Sequence, residues 1–325
     1  MLAAASDPDD RATRLRALLD ARYFAFVEGL PPALQAPALQ ASTYSGSGGD
    51  APFTGVSSLN PGLTATPWLF WEAFAGLDDE AFLAVAEAGA LVVLASIVLD
   101  HIVDAQLQPR EMLVVLQNAL YQGGTARFRA ALPPASPFWA HFERLTAEHV
   151  AGLAGEIEAR AHPERFSRRA FETMVRAKFA PIACTTAGLA VASGQPHLIG
   201  PIEESIKRLA VASQLLDDVG DWQSDLVDRH LTYYLAQLAP AECWLADRWP
   251  AAGELQPLID AAWHDARHLR LTIEWLDGAV SVIQDLKYPG WVNYINDYRE
   301  LADKHLTATT ARHLARALQS MLPTE

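Results

Sequence analysis

Cysteine is nearly absent: the 325 residues hold two, Cys184 and Cys243. That excludes a disulfide framework and a cysteine-rich zinc site and leaves free thiols as the expectation. Basic residues are scarce too. With 25 Lys and Arg against 39 Asp and Glu, the formal net charge is −14. A general electrostatic footprint for nucleic acid, which needs clustered Lys and Arg, is therefore not expected. Any anionic ligand must be received by local metal ions or by a few cationic side chains. Charged residues of both signs make up only 20% of the chain, while hydrophobic residues make up 50%, which is ample for a large buried core.

The most hydrophobic stretch carries one uncharged apolar run between Glu87 and Asp100. The run from Ala88 to Leu99 falls short of the ~18–20 residues that cross a bilayer, so stable membrane insertion is not expected. The N-terminus, Met-Leu-Ala-Ala-Ala-Ser-Asp-Pro-Asp-Asp, is acidic and lacks the basic segment and long apolar stretch of a secretory signal. A soluble cytoplasmic protein is the expectation. No stretch shows sustained two-residue alternation with β-branched enrichment, and no repeat of fixed period points to a solenoid.

What is present is helical periodicity. Asp10 to about Phe26 places Leu15, Leu18, Leu19, Tyr23 and Phe26 at helical spacing. From Pro31 to Pro67 the chain changes character, with Pro31, Pro32, Pro37, Pro52, Pro61, Pro67 and the run Ser45-Gly-Ser-Gly-Gly49. It reads as a loop or lid over 31–67. Trp68 to Phe74 opens a helix. Glu80 to about Gln106, Arg110 to Tyr121, Phe138 to about Ala161, Arg168 to Ala192, Pro201 to Asp225, Ala251 to about Ile283 and Trp291 to Leu322 read as further helices. Ala81 to Leu99 and Phe179 to Ala192 are apolar on most faces and belong at the centre of a bundle. The expectation is an all-α protein, one helical domain over 1–325.

The chemistry concentrates in Gln214-Leu-Leu-Asp-Asp-Val-Gly-Asp-Trp-Gln-Ser-Asp225. Asp217, Asp221 and Asp225 stand at i, i+4 and i+8, on one face of a helix. Like charges so placed weaken a helix by a few tenths of a kcal/mol per pair, so the ladder calls for a cation, Mg²⁺ being the natural one. Asp218 points off this face, with ligation and a supporting role both open. Upstream, Asp100 and Asp104 lie one turn apart at the polar end of the most hydrophobic helix. If the two helices pack across a cavity, their carboxylates converge.

The set resembles the class I isoprenoid enzymes: trans-prenyl diphosphate synthases, class I terpene synthases and, more distantly, squalene and phytoene synthases. The second aspartate-rich motif of prenyl synthases, Gln-x-x-Asp-Asp-x-x-Asp, is intact as Gln214 to Asp221, and the first is altered to Asp100-His101-Ile-Val-Asp104. Lys178-Phe-Ala180 looks like the segment whose lysine touches substrate diphosphate. Arg229-His230-Leu-Thr232-Tyr233 looks like the basic run after the second motif.

The resemblance implies a single large helical bundle with a central cavity and a site of three Mg²⁺ ions on Asp100, Asp104, Asp217, Asp221 and Asp225. It also implies a prenyl diphosphate substrate and, as in many such enzymes, a homodimer. Diphosphate binding falls to Arg176, Lys178, Arg229, Tyr298 and Arg299. The catalytic set is Asp100, Asp104, Asp217, Asp221, Arg176 and Arg299, with Gln214 beside the site. The candidate lining is Trp68, Phe70, Trp71, Phe74, Phe179, Trp291 and Tyr294, where aromatic faces stabilise a carbocation; an aromatic at helical spacing is also ordinary core. His101 admits three readings: pocket base, metal neighbour, or core histidine.

One departure bears on the reaction. Elongating prenyl synthases carry an arginine pair after the first motif and an N-terminal Gly-Gly-Lys; here Asp104 is followed by Ala-Gln-Leu-Gln-Pro-Arg110-Glu111, and no Gly-Gly-Lys stands near the start. The leading expectation is therefore a Mg²⁺-dependent terpene cyclase that ionises one linear prenyl diphosphate. The alternatives are a prenyltransferase, head-to-head condensation, and a non-catalytic homologue.

Overall fold

The computed structural model describes residues 8–40, 55–59, 62–104, 110–245 and 249–321. Among these residues there are helices and connecting turns and no strand, so the protein is all-α. The helices are α1 (Pro8–Glu28), α2 (Pro32–Leu39), α3 (Thr66–Leu69), α4 (Trp71–Phe74), α5 (Asp79–Val103), α6 (Arg110–Ala131), α7 (Phe138–Ala161), α8 (Arg168–Lys178), α9 (Ile182–Ala192), α10 (Ile199–Asp228), α11 (Tyr233–Ala236), α12 (Ala241–Leu245), α13 (Ala252–Ala262), α14 (His264–Ile283) and α15 (Pro289–Met321).

Three helices expected to be continuous are broken, the shortest, Trp68 to Phe74, at Phe70 between α3 and α4. Arg168 to Ala192 divides at Phe179–Pro181 into α8 and α9, because Pro181 lacks the N–H that would continue the ladder and disfavours helical backbone at Ala180. Ala251 to Ile283 divides at Trp263, whose φ of 50° is left-handed, a conformation costing a non-glycine residue about 1–2 kcal/mol. The segment read as a loop or lid lies outside the described residues at 41–54 and 60–61. Within it, Pro32–Leu39 is helical, with Pro32 at the first helical position where its fixed φ suits the helix and no N–H is missed.

The chain forms two compact units. The first takes Met1–His149, Ala180–Glu203 and Lys287–Trp291. Its central helix is α5, capped by Asp78, whose carboxylate accepts from Ala81 N at 2.8 Å. By length and composition α5 could cross a membrane, but most of its apolar stretch is buried inside the protein, as befits a core helix. Gly89 lets α9 approach: a Cβ there would lie 1.9 Å from Thr185 Oγ1. On α1, Leu15, Leu19, Tyr23 and Val27 form one buried stripe, each worth about 1.5–3 kcal/mol of transfer free energy when fully buried. Arg11 ties this helix to Asp79 at 2.7 Å.

The second unit takes Val150–Phe179, Glu204–Leu286 and Val292–Glu325. One core cluster joins Phe166, Phe171 and Val175 to Val211, Leu215 and Tyr233. Another gathers Trp222, Leu226, Tyr234, Leu235, Trp244, Leu255 and Ile259. Both clusters hold the body of α10, so the helix that carries the acid ladder is anchored along its apolar face.

Candidate functional site

In the second unit, α10 ends at Asp228 and delivers the ladder as its spacing requires. Asp217 and Asp221 are exposed and Asp225 half-buried. Partial desolvation, and then the charge of Asp221, push Asp217 up to about 6. Asp225 is pushed up by desolvation and by Asp221, with His230 opposing, and Asp221 rises through desolvation. Among the described residues, no Lys or Arg forms an ion pair with these three carboxylates. A stack of acids paired with no described Lys or Arg, and offset only by His230 at Asp221 and Asp225, fits a divalent cation bound through oxygen.

Asp218 faces the interior instead. It is 1% exposed, accepts a hydrogen bond from Gln214 Nε2 at 2.9 Å, and burial pushes it up to about 8. A carboxyl so enclosed favours its neutral form, more strongly than Asp217 or Asp225 does.

Beyond α10 the chain turns sharply. Arg229 has φ 56°, a left-handed residue just past the helix end, and His230 N donates to Asp225 O at 2.8 Å, closing the last turn. The turn brings His230 back beside Glu156 of α7, with Nε2 3.6 Å from Oε1. Lys178, the last residue of α8, reaches the same carboxylate, Nζ lying 3.0 Å from Oε2. Arg160 follows at 3.5 Å. Burial alone would raise the Glu156 pKa, but His230, Lys178 and Arg160 overcome it and hold the carboxyl well below the usual range. Gln214, Asp218 and Thr232 share a small cavity with this cluster, about 20 Å³, room for about one water. A larger cavity of about 480 Å³, lined by Gly155, Phe166, Arg169, Ala170 and Met174 among others, contains none of the expected site residues.

Lys178, Gln214, Asp218 and the run after Arg229 therefore line one small cavity. Glu156 and Arg160 were missed. Their i, i+4 spacing in Glu-Ile-Glu-Ala-Arg reads as an ordinary solvated helix pair, and nothing local announces Lys178. The other predicted cations are held elsewhere. Arg176 is gripped by Glu204 through two bonds, of 3.2 and 2.6 Å. Arg299 lies between Asp277 and Asp303, each at 2.7 Å, in exposed pairs. Tyr298 accepts from the Tyr294 hydroxyl at 3.3 Å. Phe179 packs against the Phe171 cluster.

In the first unit, Asp100, His101 and Asp104 are half-buried at the C-terminal end of α5. Asp104 N donates to Asp100 O at 2.9 Å, so the two acids stand one helical turn apart. Several expected lining aromatics pack on other aromatic rings of this unit. Trp291 is fully buried and stacks on Phe70 with centroids 4.7 Å apart. Phe74 is 0% exposed. Trp68 and Trp71 both set their edges on Phe82, and Trp71 carries the Arg11 guanidinium over its ring. Charge and apolar spacing mark these residues equally well as core or as lining.

No family model and no curated protein matches the chain. Solved structures do. A geranylgeranyl pyrophosphate synthetase from Pyrococcus horikoshii shares 16% identity over 92% of this chain and 98% of that one, with a TM-score of 0.66. The geranylgeranyl pyrophosphate synthetase from Geoglobus acetivorans shares 17% over 93% and 99%, at 0.63. An isoprenoid synthase family member from Thermotoga neapolitana shares 15% over 87% and 97%, at 0.55. At this identity the likeness speaks for the fold: the chain carries the fold of the class I isoprenoid synthases.

Proposed function

We propose that the protein acts on prenyl diphosphates with the help of Mg²⁺, and that it transfers prenyl groups. The observation that carries the reading is the stack of Asp217, Asp221 and Asp225 at the end of α10, which no described Lys or Arg pairs and which suits a divalent cation facing a diphosphate. The preference for transfer draws on the two structural neighbours that are geranylgeranyl pyrophosphate synthetases. It reverses the order set by the sequence, in which cyclisation stood first.

In this reading Asp100 and Asp104 on α5, and Asp217, Asp221 and Asp225 on α10, hold the metal. Mg²⁺, when bound, supplies charge neutralisation for the leaving diphosphate. Lys178 and Arg229 add positive charge for the same oxygens. Arg176 and Arg299 join them on exchanging the carboxylates that hold them. The allylic C–O bond breaks and its electron pair leaves with the diphosphate. The carbocation is then captured by the double bond of isopentenyl diphosphate, and a proton is lost to restore neutrality at carbon. Asp218 keeps α10 in place from beneath.

Cyclisation of a single prenyl diphosphate remains the second reading, favoured by the missing arginine pair after Asp104. Purified protein incubated with Mg²⁺ and prenyl diphosphates of increasing length, alone and with isopentenyl diphosphate, separates the two. A longer diphosphate formed only from both substrates supports transfer. Hydrocarbon or alcohol formed from one substrate alone overturns it in favour of cyclisation.

A further inference from the structure

Glu156 is a buried carboxylate with three basic partners and no place in the motifs. Its side chain is 9% exposed and that of Lys178 11%. Oε2 lies 3.0 Å and Oε1 3.2 Å from Lys178 Nζ. Oε1 also lies 3.5 Å from Arg160 Nη2 and 3.6 Å from His230 Nε2. These partners come from three places: Arg160 from its own helix, Lys178 from the end of α8, and His230 from the turn after α10. A lysine ammonium on its flexible stem has many rotamers, and fixing it costs about 1.5–2 kcal/mol of side-chain entropy. Here that ordering is already done.

The backbone adds a second constraint. A Cβ on Gly152 would lie 2.4 Å from Lys178 N, so α7 and the end of α8 are in direct main-chain contact one turn from Glu156. Lys178 is thereby held at both its backbone and its ammonium. The adjoining cavity, about 20 Å³, is too small for a diphosphate, so a substrate would meet Lys178 and His230 from outside it.

We propose that Glu156 is a positioning residue, which holds the Lys178 ammonium and the His230 ring oriented for the diphosphate of the substrate. This rests on the reading that Lys178 binds diphosphate. Glu156 itself does not touch the substrate. It acts through the cations, as an outer partner orients a ligand-binding group.

The test is binding of inorganic pyrophosphate, with Mg²⁺, to the full chain by calorimetry, alongside steady-state kinetics with a prenyl diphosphate. Glu156→Gln keeps the shape and removes the charge. It should weaken pyrophosphate binding about tenfold or more and raise KM while kcat stays within a few-fold. Glu156→Asp restores the charge on a shorter stem and should recover much of the affinity, which a packing role would not allow. Wild-type affinity and KM in Glu156→Gln, with binding lost in Lys178→Met, would overturn the proposal and leave the function standing. Absence of pyrophosphate binding and turnover in the wild-type protein would overturn both.

Discussion

Gln214 Nε2 donates to Asp218 Oδ1 at 2.9 Å, one turn along α10, and this contact sets Asp218 apart from the other acids of its motif. Asp218 is turned inward, while Asp217, Asp221 and Asp225 occupy the opposite, solvent-reaching positions. Substitution should separate the two roles. Asp218→Ala leaves the Gln214 amide without its buried partner and should cost about 1–3 kcal/mol of stability without metal. Asp217→Ala relieves like-charge repulsion, so the denaturant midpoint without metal should be unchanged or slightly higher. The thermal stabilisation by Mg²⁺ with pyrophosphate should vanish in Asp217→Ala and persist in Asp218→Asn.

Asp100 and Asp104 stand one turn apart at the end of α5. Replacing either with Ala should lower kcat by about 10²–10³-fold, the scale seen when a group stabilising transition-state charge is removed. Circular dichroism should be unchanged, since both side chains are only half-buried. Wild-type turnover in either variant would remove the first motif from the site.

Gly152 tests the backing of Lys178. With a Cβ placed 2.4 Å from Lys178 N and 2.9 Å from Ala177 C, Gly152→Ala forces α7 and α8 apart. The expected cost is about 1–3 kcal/mol, read from the urea midpoint, together with weaker pyrophosphate binding. Gly155→Ala is the control, because its nearest neighbour would be Met174 Cγ at 3.8 Å, ordinary contact.

His268 should give stability a pH slope. Burial, and then the charge of His264, push it down to about 3, below the unfolded value near 6.5. The unfolded chain therefore takes up a proton on acidification before the folded one does, and stability falls as pH drops through that window. At pH 5 the loss amounts to about 2 kcal/mol. The urea midpoint should fall between pH 7.5 and 5, and His268→Gln should flatten the decline. Equal slopes in the two proteins would contradict the assignment.

Much of the fold was legible because helical periodicity and Pro or Gly punctuation are local signals. Phe138–Ala161 was read at its observed limits. The break at Pro181 carried a local signal that the apolar run on either side obscured. The break at Trp263 carried none, since nothing in a tryptophan announces a left-handed backbone. The ladder at Asp217 was legible because three acids at one helical spacing conflict with helix stability unless something else compensates. Glu156 was not, because its meaning comes from Lys178 and His230, which reach it only after two turns of chain. Trp291 and Phe74 show the converse limit: aromatic content marks burial, and burial alone does not tell core from cavity wall.

The most direct measurement is pyrophosphate release from an allylic prenyl diphosphate, with isopentenyl diphosphate present, by wild-type protein and Asp217→Ala, with Mg²⁺ and with chelator. Release by the wild type with Mg²⁺ only, falling about 100-fold or more in Asp217→Ala, is the expected result. Release that survives chelation, or that proceeds at the wild-type rate without Asp217, would contradict it.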